Sequence, residues 1–216
     1  MPQSRDELRA GIDPLSNDEL SRMADVVRAG FSGDLARAEA GLADPCGRVR
    51  AAAVAACLRL GRLERPTIDA ALDDPDEEVR LAGAKAAAKT GGDSLVRRLA
   101  SEKDPLVAEA LIFAMGEQRD ESAYPALCNA ALEHPDALCR EAAVAAIANF
   151  ERDDSIEVLE RAAGDKPAIR RRVAVALAAV DDARGTDLLH RLAEDRDWQT
   201  RQIAKEILAI EEGDRT

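Results

Sequence analysis

The sequence predicts an all-α fold, an α-solenoid built from about six stacked helical hairpins. One phrase recurs at intervals of about 30 residues or twice that: an acid, a Pro or another helix-starting residue, a spacer, and an apolar residue followed by Arg. It occurs at 44–50, 74–80, 134–140 and 195–201. Self-similarity at such a period is typical of stacked helical arrays. No stretch alternates between apolar and polar residues with a period of two, so we expect no strands.

The second helix of each hairpin is the clearest element of the repeat. We number it from an apolar or small anchor residue next to the Arg position, and the anchors are Val49, Val79, Val107, Cys139, Ile169 and Thr200. The residues three, four, seven and eight positions after the anchor are nearly all apolar, which predicts one buried stripe. First helices show apolar spacings of three and four, as in Ile68 with Leu72.

The repeat region begins after a less regular N-terminal stretch. Ser16 or Asn17 can cap a helix there, and we interpret residues 1–33 as an N-terminal capping region. Residues 34–211 form the repeat array, and 212–216 are a short polar tail. A repeat array has one continuous core, so one domain is expected in spite of the length.

Composition limits the classes of function. The net charge of -12 disfavours nucleic acid as a partner. Neither a signal peptide nor an apolar span of about 20 residues is visible, so we expect a cytoplasmic protein and no membrane contact. The four cysteines lack a C-x-x-C pair, which predicts reduced thiols and neither a metal nor a cofactor. Aromatic residues make up only 2% of the chain, so closely packed helices must form the core.

These helix pairs resemble HEAT repeats, particularly the short bacterial kind first associated with phycobilin lyase subunits. The resemblance covers roughly residues 34–211 and implies a right-handed α-solenoid of HEAT-like hairpins. In that family a recurring acid and Arg form a ladder between neighbouring units. The resemblance places the ladder at Asp44 with Arg50, Asp74 with Arg80 and Asp195 with Arg201.

The ladder is expected to lapse in the middle of the array. Glu102 and Ala108 replace its two members in the third copy, and His134 replaces the acid in the fourth. Gly164 leaves Arg170 without an acid at the expected position. We therefore expect a specialised surface in these units.

The resemblance also implies that the second helices line a concave groove. Residues one, two, five and six positions after each anchor would then face a partner, with Phe113 as the most prominent candidate. The residues expected to contact a partner are Leu81, Ile112, Phe113, Arg140, Val144, Arg170 and Arg171. Replacing Phe113 or Arg170 by Ala would then weaken binding without lowering stability. In the alternative interpretation, neighbouring helices bury the apolar side chains of this set.

Catalysis has little support, because the two histidines, His134 and His190, lie in no recognisable catalytic arrangement. The favoured hypothesis is a non-enzymatic scaffold that binds a partner protein or peptide in its groove. One alternative is a chaperone, like a phycobilin lyase, that holds a small cofactor; another is phosphate or nucleic-acid binding through a stripe of arginines. The terminal repeat carries the bulky residues Ile203, Ile207 and Leu208, and these are also compatible with a weak homo-oligomeric contact.

Overall fold

The computed structural model describes the backbone of residues 14–214 and the side chains of residues 14–210. This part of the chain contains thirteen α-helices and no strand, which confirms the all-α prediction. The helices are α1 (Asn17–Ser32), α2 (Leu35–Ala40), α3 (Gly47–Arg59), α4 (Arg65–Leu72), α5 (Glu77–Thr90), α6 (Leu95–Ser101), α7 (Pro105–Gln118), α8 (Tyr124–Glu133), α9 (Ala137–Ala148), α10 (Ile156–Ala162), α11 (Pro167–Leu177), α12 (Ala183–Leu192) and α13 (Trp198–Asp214). From α2 onward the helices form six consecutive pairs.

The chain forms two compact units that divide between Glu64 and Arg65. In the first unit, α1 begins at a capping box in which the Glu19 carboxylate accepts from the Ser16 N–H at 2.8 Å. Helix α1 packs against α3, and Gly30 allows the close approach because a Cβ there would lie 2.9 Å from that of Ala56. The assignment of residues 1–33 as a cap stays a prediction; residues 1–13 and 215–216 lie outside the described residues.

The second unit contains five helix pairs, from α4–α5 to α12–α13, arranged in two layers. The second helices pack side by side in the order α5, α7, α9, α11 and α13. In the other layer α8 packs against α10 and α10 against α12. Small residues bring the second helices together: a Cβ on Gly116 of α7 would lie 2.7 Å from the Ala146 Cβ of α9. This agrees with a core that contains few aromatic residues.

The buried arc of each second helix is wider than the sequence suggests. Ile112 and Val144, five positions after their anchors, have no exposed surface, so the prediction that they face a groove is wrong. A helix turns about 100° per residue, which puts this position about 140° from the anchor. Each inner second helix packs against its own first helix and two neighbouring second helices, and this buries more than half of its circumference.

Candidate functional site

The exposed face of the second helices concentrates the large apolar side chains that remain in contact with solvent. In the first unit, α1 exposes Leu20, Val27 and Phe31. In the second unit seven such residues are exposed among those that the structure describes, and five lie at only three register positions of the second helices. The five are Leu106 and Leu138, one residue before the anchor; Phe113 and Val175, six residues after it; and Ile210, ten residues after it. These positions lie within about 40° of one another around a helix.

A cavity of about 670 Å³ opens on this face in the second unit. Phe113 lies in its wall and is 56% exposed, while Ala110, Ala142 and Ala145 are small enough to leave space beside the ring. The remaining lining residues are Leu81, Lys85, Leu106, Glu109, Glu117, Ala146, Asn149 and Arg172. The result is a mainly apolar opening with charged groups around it, which we call the Phe113 groove.

The charged residues of the Phe113 groove differ in whether they are paired. Arg172 of α11 binds Glu141 of α9 at 3.2 Å. Among the described residues, Lys85 and Glu109 have no ion pair or hydrogen bond to a side chain, and Glu117 only accepts a long bond from Asn149, at 3.5 Å. Glu109 and Glu117 stand one helical turn before and after Phe113. The aromatic ring is therefore flanked by two carboxylates available to a ligand.

Several residues predicted to bind a partner have another position or role. Leu81 and Phe113 line the groove, whereas Ile112 and Val144 belong to the core. Arg171 binds Asp197 at 3.1 Å. Arg140 binds Asp165 at 2.6 Å, and Arg170 is buried.

The buried Arg170 shows how the arginine ladder is built. Its Nε and Nη2 donate to the two carboxylate oxygens of Asp195 in the next unit, at 2.7 and 2.8 Å. Its Nη1 donates to the main-chain oxygen of Asp165 in its own loop, at 2.6 Å. Each rung therefore ties a second helix both to the loop before it and to the loop before the next second helix. Arg170 is therefore a structural residue, and we expect its loss to lower stability, in contrast to the expectation from the sequence alone.

The acid and the Arg that were expected to pair within one copy of the repeat do contact each other, but through the main-chain oxygen of the acid. Arg50, Arg80 and Arg201 donate from Nη1 to the main-chain oxygens of Asp44, Asp74 and Asp195, at 2.9, 3.1 and 2.6 Å. The carboxylate of Asp44 binds Arg22 of α1, and that of Asp195 binds Arg170. The resemblance to HEAT repeats identified the right residues. It paired the carboxylates of Asp44 and Asp195 with the arginine of their own repeat, whereas each binds the arginine of the preceding second helix or, for Asp44, of α1.

Three further ladder members were missed, namely Arg22, Glu102 and Asp165. Glu102 binds Arg80 at 2.8 Å, and Asp165 replaces the acid expected at Gly164. The predicted lapses at these two positions are therefore wrong. A search for an acid 22 to 25 residues after each Arg would have found these pairs. The search would have to accept Glu as well as Asp, and an acid one residue away from the expected position.

The ladder carboxylates are held in their charged form. Hydrogen bonds from Arg140 and Arg170 lower the pKa values of Asp165 and Asp195 below their usual range. Burial opposes ionisation of Glu102, but the bonds from Arg80 and from the main chain offset it and leave the pKa of this carboxyl lowered. Ionisation of these acids is therefore linked to folding.

One rung of the second unit is missing, as the sequence predicts. Ala108 lies at the position that is Arg in the other repeats, and His134 lies at the position that is an acid in them. His134 Nδ1 accepts from the Asp136 N–H at 3.2 Å, as the Asp74 carboxylate accepts from the Asp76 N–H. A cavity of about 500 Å³ lies here, lined by Glu102, Lys103, Pro105, Ala108, His134, Pro135 and Asp136. We call it the open rung.

Chemistry of other kinds has little basis in residues 14–214. This part of the chain has no cluster of three or more His, Cys, Asp or Glu side chains suited to a metal ion. None of its helices has the length and apolar character needed to cross a bilayer. Burial raises the pKa of the Cys139 thiol to about 11, so the thiolate needed for nucleophilic attack is scarce near neutral pH.

Comparisons with known proteins agree with this architecture. A chain of the complex of CpcE and CpcF of phycocyanin lyase from Nostoc superposes with a TM-score of 0.53 and 24% identity, over 96% of this chain and 88% of that one. YibA of Escherichia coli superposes with a TM-score of 0.58 and 21% identity over 74% of this chain, which spans only 62% of YibA. At these identities the likeness shows the fold alone. No curated protein sequence matches significantly.

A model of HEAT repeats matches residues 35–116 and 92–175, which together cover more than half of the chain. With the paired helices and the similar structures, this match confirms the predicted α-solenoid class. The chain belongs to the HEAT-repeat family.

Proposed function

We propose that the chain is a non-catalytic, cytoplasmic scaffold that binds a segment of a partner protein on the exposed face of its second helices, with Phe113 as the central contact. The observation that carries the proposal is the concentration of exposed apolar residues at three register positions, together with the cavity beside Phe113. Contiguous apolar surface with a polar rim is typical of interaction sites.

The chemistry of the Phe113 groove favours a protein segment. An exposed aromatic residue beside small side chains can insert between apolar residues of a partner, and such anchors supply much of the binding energy in protein interfaces. The rim carries charges of both signs, from Lys85, Glu109 and Glu117, which suits a mixed polar and apolar segment.

The predicted arginine stripe supports nucleic-acid binding poorly. Arg80, Arg140, Arg170, Arg171 and Arg172 are each bound to a carboxylate, so their donors are largely occupied within the protein. The net charge of -12 also repels a polyanion at long range.

Capture and quantitative binding test this function. The immobilised protein would be used to isolate partners from an extract of the source organism, and the purified partner would be titrated against wild type and two variants. Phe113→Ala should weaken binding about tenfold or more, as expected for the loss of an aromatic anchor. Trp198→Ala is the matched control, because Trp198 is 65% exposed but lies outside the three register positions. Equal affinity of wild type and Phe113→Ala would overturn the proposal.

A chaperone that holds a small cofactor is the second candidate. The volume of about 670 Å³ lies within the range of small-molecule sites, and the lining is mainly apolar. One similar structure comes from a complex of phycocyanin lyase subunits. Native mass spectrometry of the purified protein distinguishes the two candidates, because a cofactor chaperone should retain a small molecule that Phe113→Ala releases.

A further inference from the structure

The open rung keeps half of an arginine-binding site. In four of the other repeats the Arg Nη1 group donates to two main-chain oxygens of the preceding loop, as Arg80 does to Asp74 and Pro75 at 3.1 and 3.0 Å and Arg140 to His134 and Pro135 at 2.7 and 3.1 Å. The equivalent oxygens before α7 belong to Glu102 and Lys103. No hydrogen bond to either oxygen is found among residues 14–214.

The open rung also has the space that a guanidinium group needs. Its cavity of about 500 Å³ is lined by Ala108, at the position where the other units carry their Arg, and by Glu102 and Lys103, whose main-chain oxygens lack donors. Pro105 lines this cavity and the next residue, Leu106, lines the Phe113 groove. The two openings are therefore separated only by the first turn of α7.

The open rung lies among charges of both signs: Lys103 is in the cavity wall, Glu102 is bound to Arg80, and Glu109 lines the adjoining Phe113 groove. Glu109 directly follows Ala108, is half-buried, and has no ion pair among the described residues. Asp136 lies in the cavity wall. His134 supplies no carboxylate, and its Nδ1 is occupied by the Asp136 N–H. A ligand with several donors on one planar group matches two main-chain oxygens beside a carboxylate better than an ammonium group does.

We propose that the open rung binds an arginine side chain of the partner segment, whose neighbouring apolar residue lies against Phe113. This inference deepens the proposed function, and its second part depends on it. The guanidinium replaces the missing Arg of the ladder by donating to the Glu102 and Lys103 main-chain oxygens and pairing with Glu109. The partner is thus a segment with an arginine next to a large apolar residue.

A titration with arginine amide tests the open rung without knowledge of the partner. Backbone ¹⁵N–¹H spectra of the full chain would be recorded with arginine amide, and with lysine amide and citrulline amide as controls. Arginine amide should shift the resonances of Lys103, Asp104, Ala108 and Glu109 in a saturable way. Its affinity should exceed that of either control by about fivefold or more, because only a charged guanidinium makes all the contacts.

Three variants decide whether the shifts report this site. Ala108→Arg copies the residue of the other units and should abolish the saturable shifts, whereas Ala100→Arg adds the same charge at an exposed position of α6 and should not. Glu109→Gln should weaken the binding of arginine amide. Equal shifts with all three amides, or full binding to Ala108→Arg, would overturn the inference. Either result leaves the proposed function standing if Phe113→Ala still loses the captured partner.

Discussion

The loop before α13 and the loop before α9 follow the same sequence pattern but differ in one pair of residues. At the first, Arg170 joins α11 to Asp195, and the two side chains are only 5% and 11% exposed. At the second, Ala108 and His134 occupy the equivalent positions and a cavity opens. The helices of the open rung, α7 and α9, are also the ones that line most of the Phe113 groove.

This difference separates the closed rungs, whose arginines are structural, from the open rung, which has no arginine of its own. Where the rung is closed, the guanidinium is consumed by contacts within the protein, and binding a partner would require breaking them. Where it is open, main-chain oxygens and Glu109 remain available. A repeat that departs from the pattern of its neighbours therefore marks a candidate binding site more clearly than a repeat that keeps the pattern.

The largest expected effect comes from breaking a closed rung. Arg170→Ala leaves the Asp195 carboxylate with little access to water and no guanidinium, which should lower the free energy of unfolding by about 3 kcal/mol. Urea denaturation measures this change. Arg172→Ala is the control: its side chain is 42% exposed and its pair with Glu141 should contribute less than about 1 kcal/mol. Equal losses in the two variants would remove the distinction between ladder and surface arginines.

Closing the open rung should have the opposite effect. In the double variant Ala108→Arg with His134→Asp, both members of a rung are present, and the new Asp can still accept from the Asp136 N–H. The free energy of unfolding should rise by about 1 kcal/mol, as expected for a partly buried charged hydrogen bond. Either single variant should gain less, since each lacks the opposing charge. No gain in the double variant would show that the loops before α7 and α9 are not arranged as in the other units.

Acid should weaken the closed rungs selectively. Because the pKa of Asp195 is lowered in the folded state, its contribution is fully present above its unfolded pKa of about 4 and is lost as pH falls through the folded value. The free energy of unfolding should therefore fall between pH 5 and pH 3. The fall should be smaller in Asp195→Asn, which has no such proton to bind. Parallel curves for wild type and variant would contradict the linkage.

The smallest effect concerns the thiol beside the open rung. Cys139 is buried at the anchor of α9, and its Sγ donates to the Pro105 main-chain oxygen at 3.3 Å. With its pKa raised to about 11, it should react with iodoacetamide at pH 8 far more slowly in the folded than in the unfolded protein. Buried Cys57 serves as the reference, and peptide mass spectrometry reads both sites. Fast labelling of Cys139 alone would show that the open rung is frayed.

The sequence predicted the helices, their register and the missing rung, because these depend on local patterns. Ser16 does cap α1, and Ala108 with His134 does interrupt the ladder. The burial of Ile112 and the partner of Asp195 depend on how one unit packs against the next. Arg170 and Asp195 are 25 residues apart and belong to neighbouring repeats. Their contact depends on how one repeat stacks on the next, and the sequence pattern of a single repeat carries no information about this.

Site-specific photo-crosslinking reports whether Phe113 contacts the partner segment. Benzoylphenylalanine would replace Phe113 in one sample and Trp198 in another, and each protein would be irradiated with the captured partner. We expect a crosslink from position 113 to a partner peptide that contains an arginine next to a large apolar residue, and none from position 198. A crosslink from position 198 alone, or equal yields from both positions, would contradict a central role of Phe113.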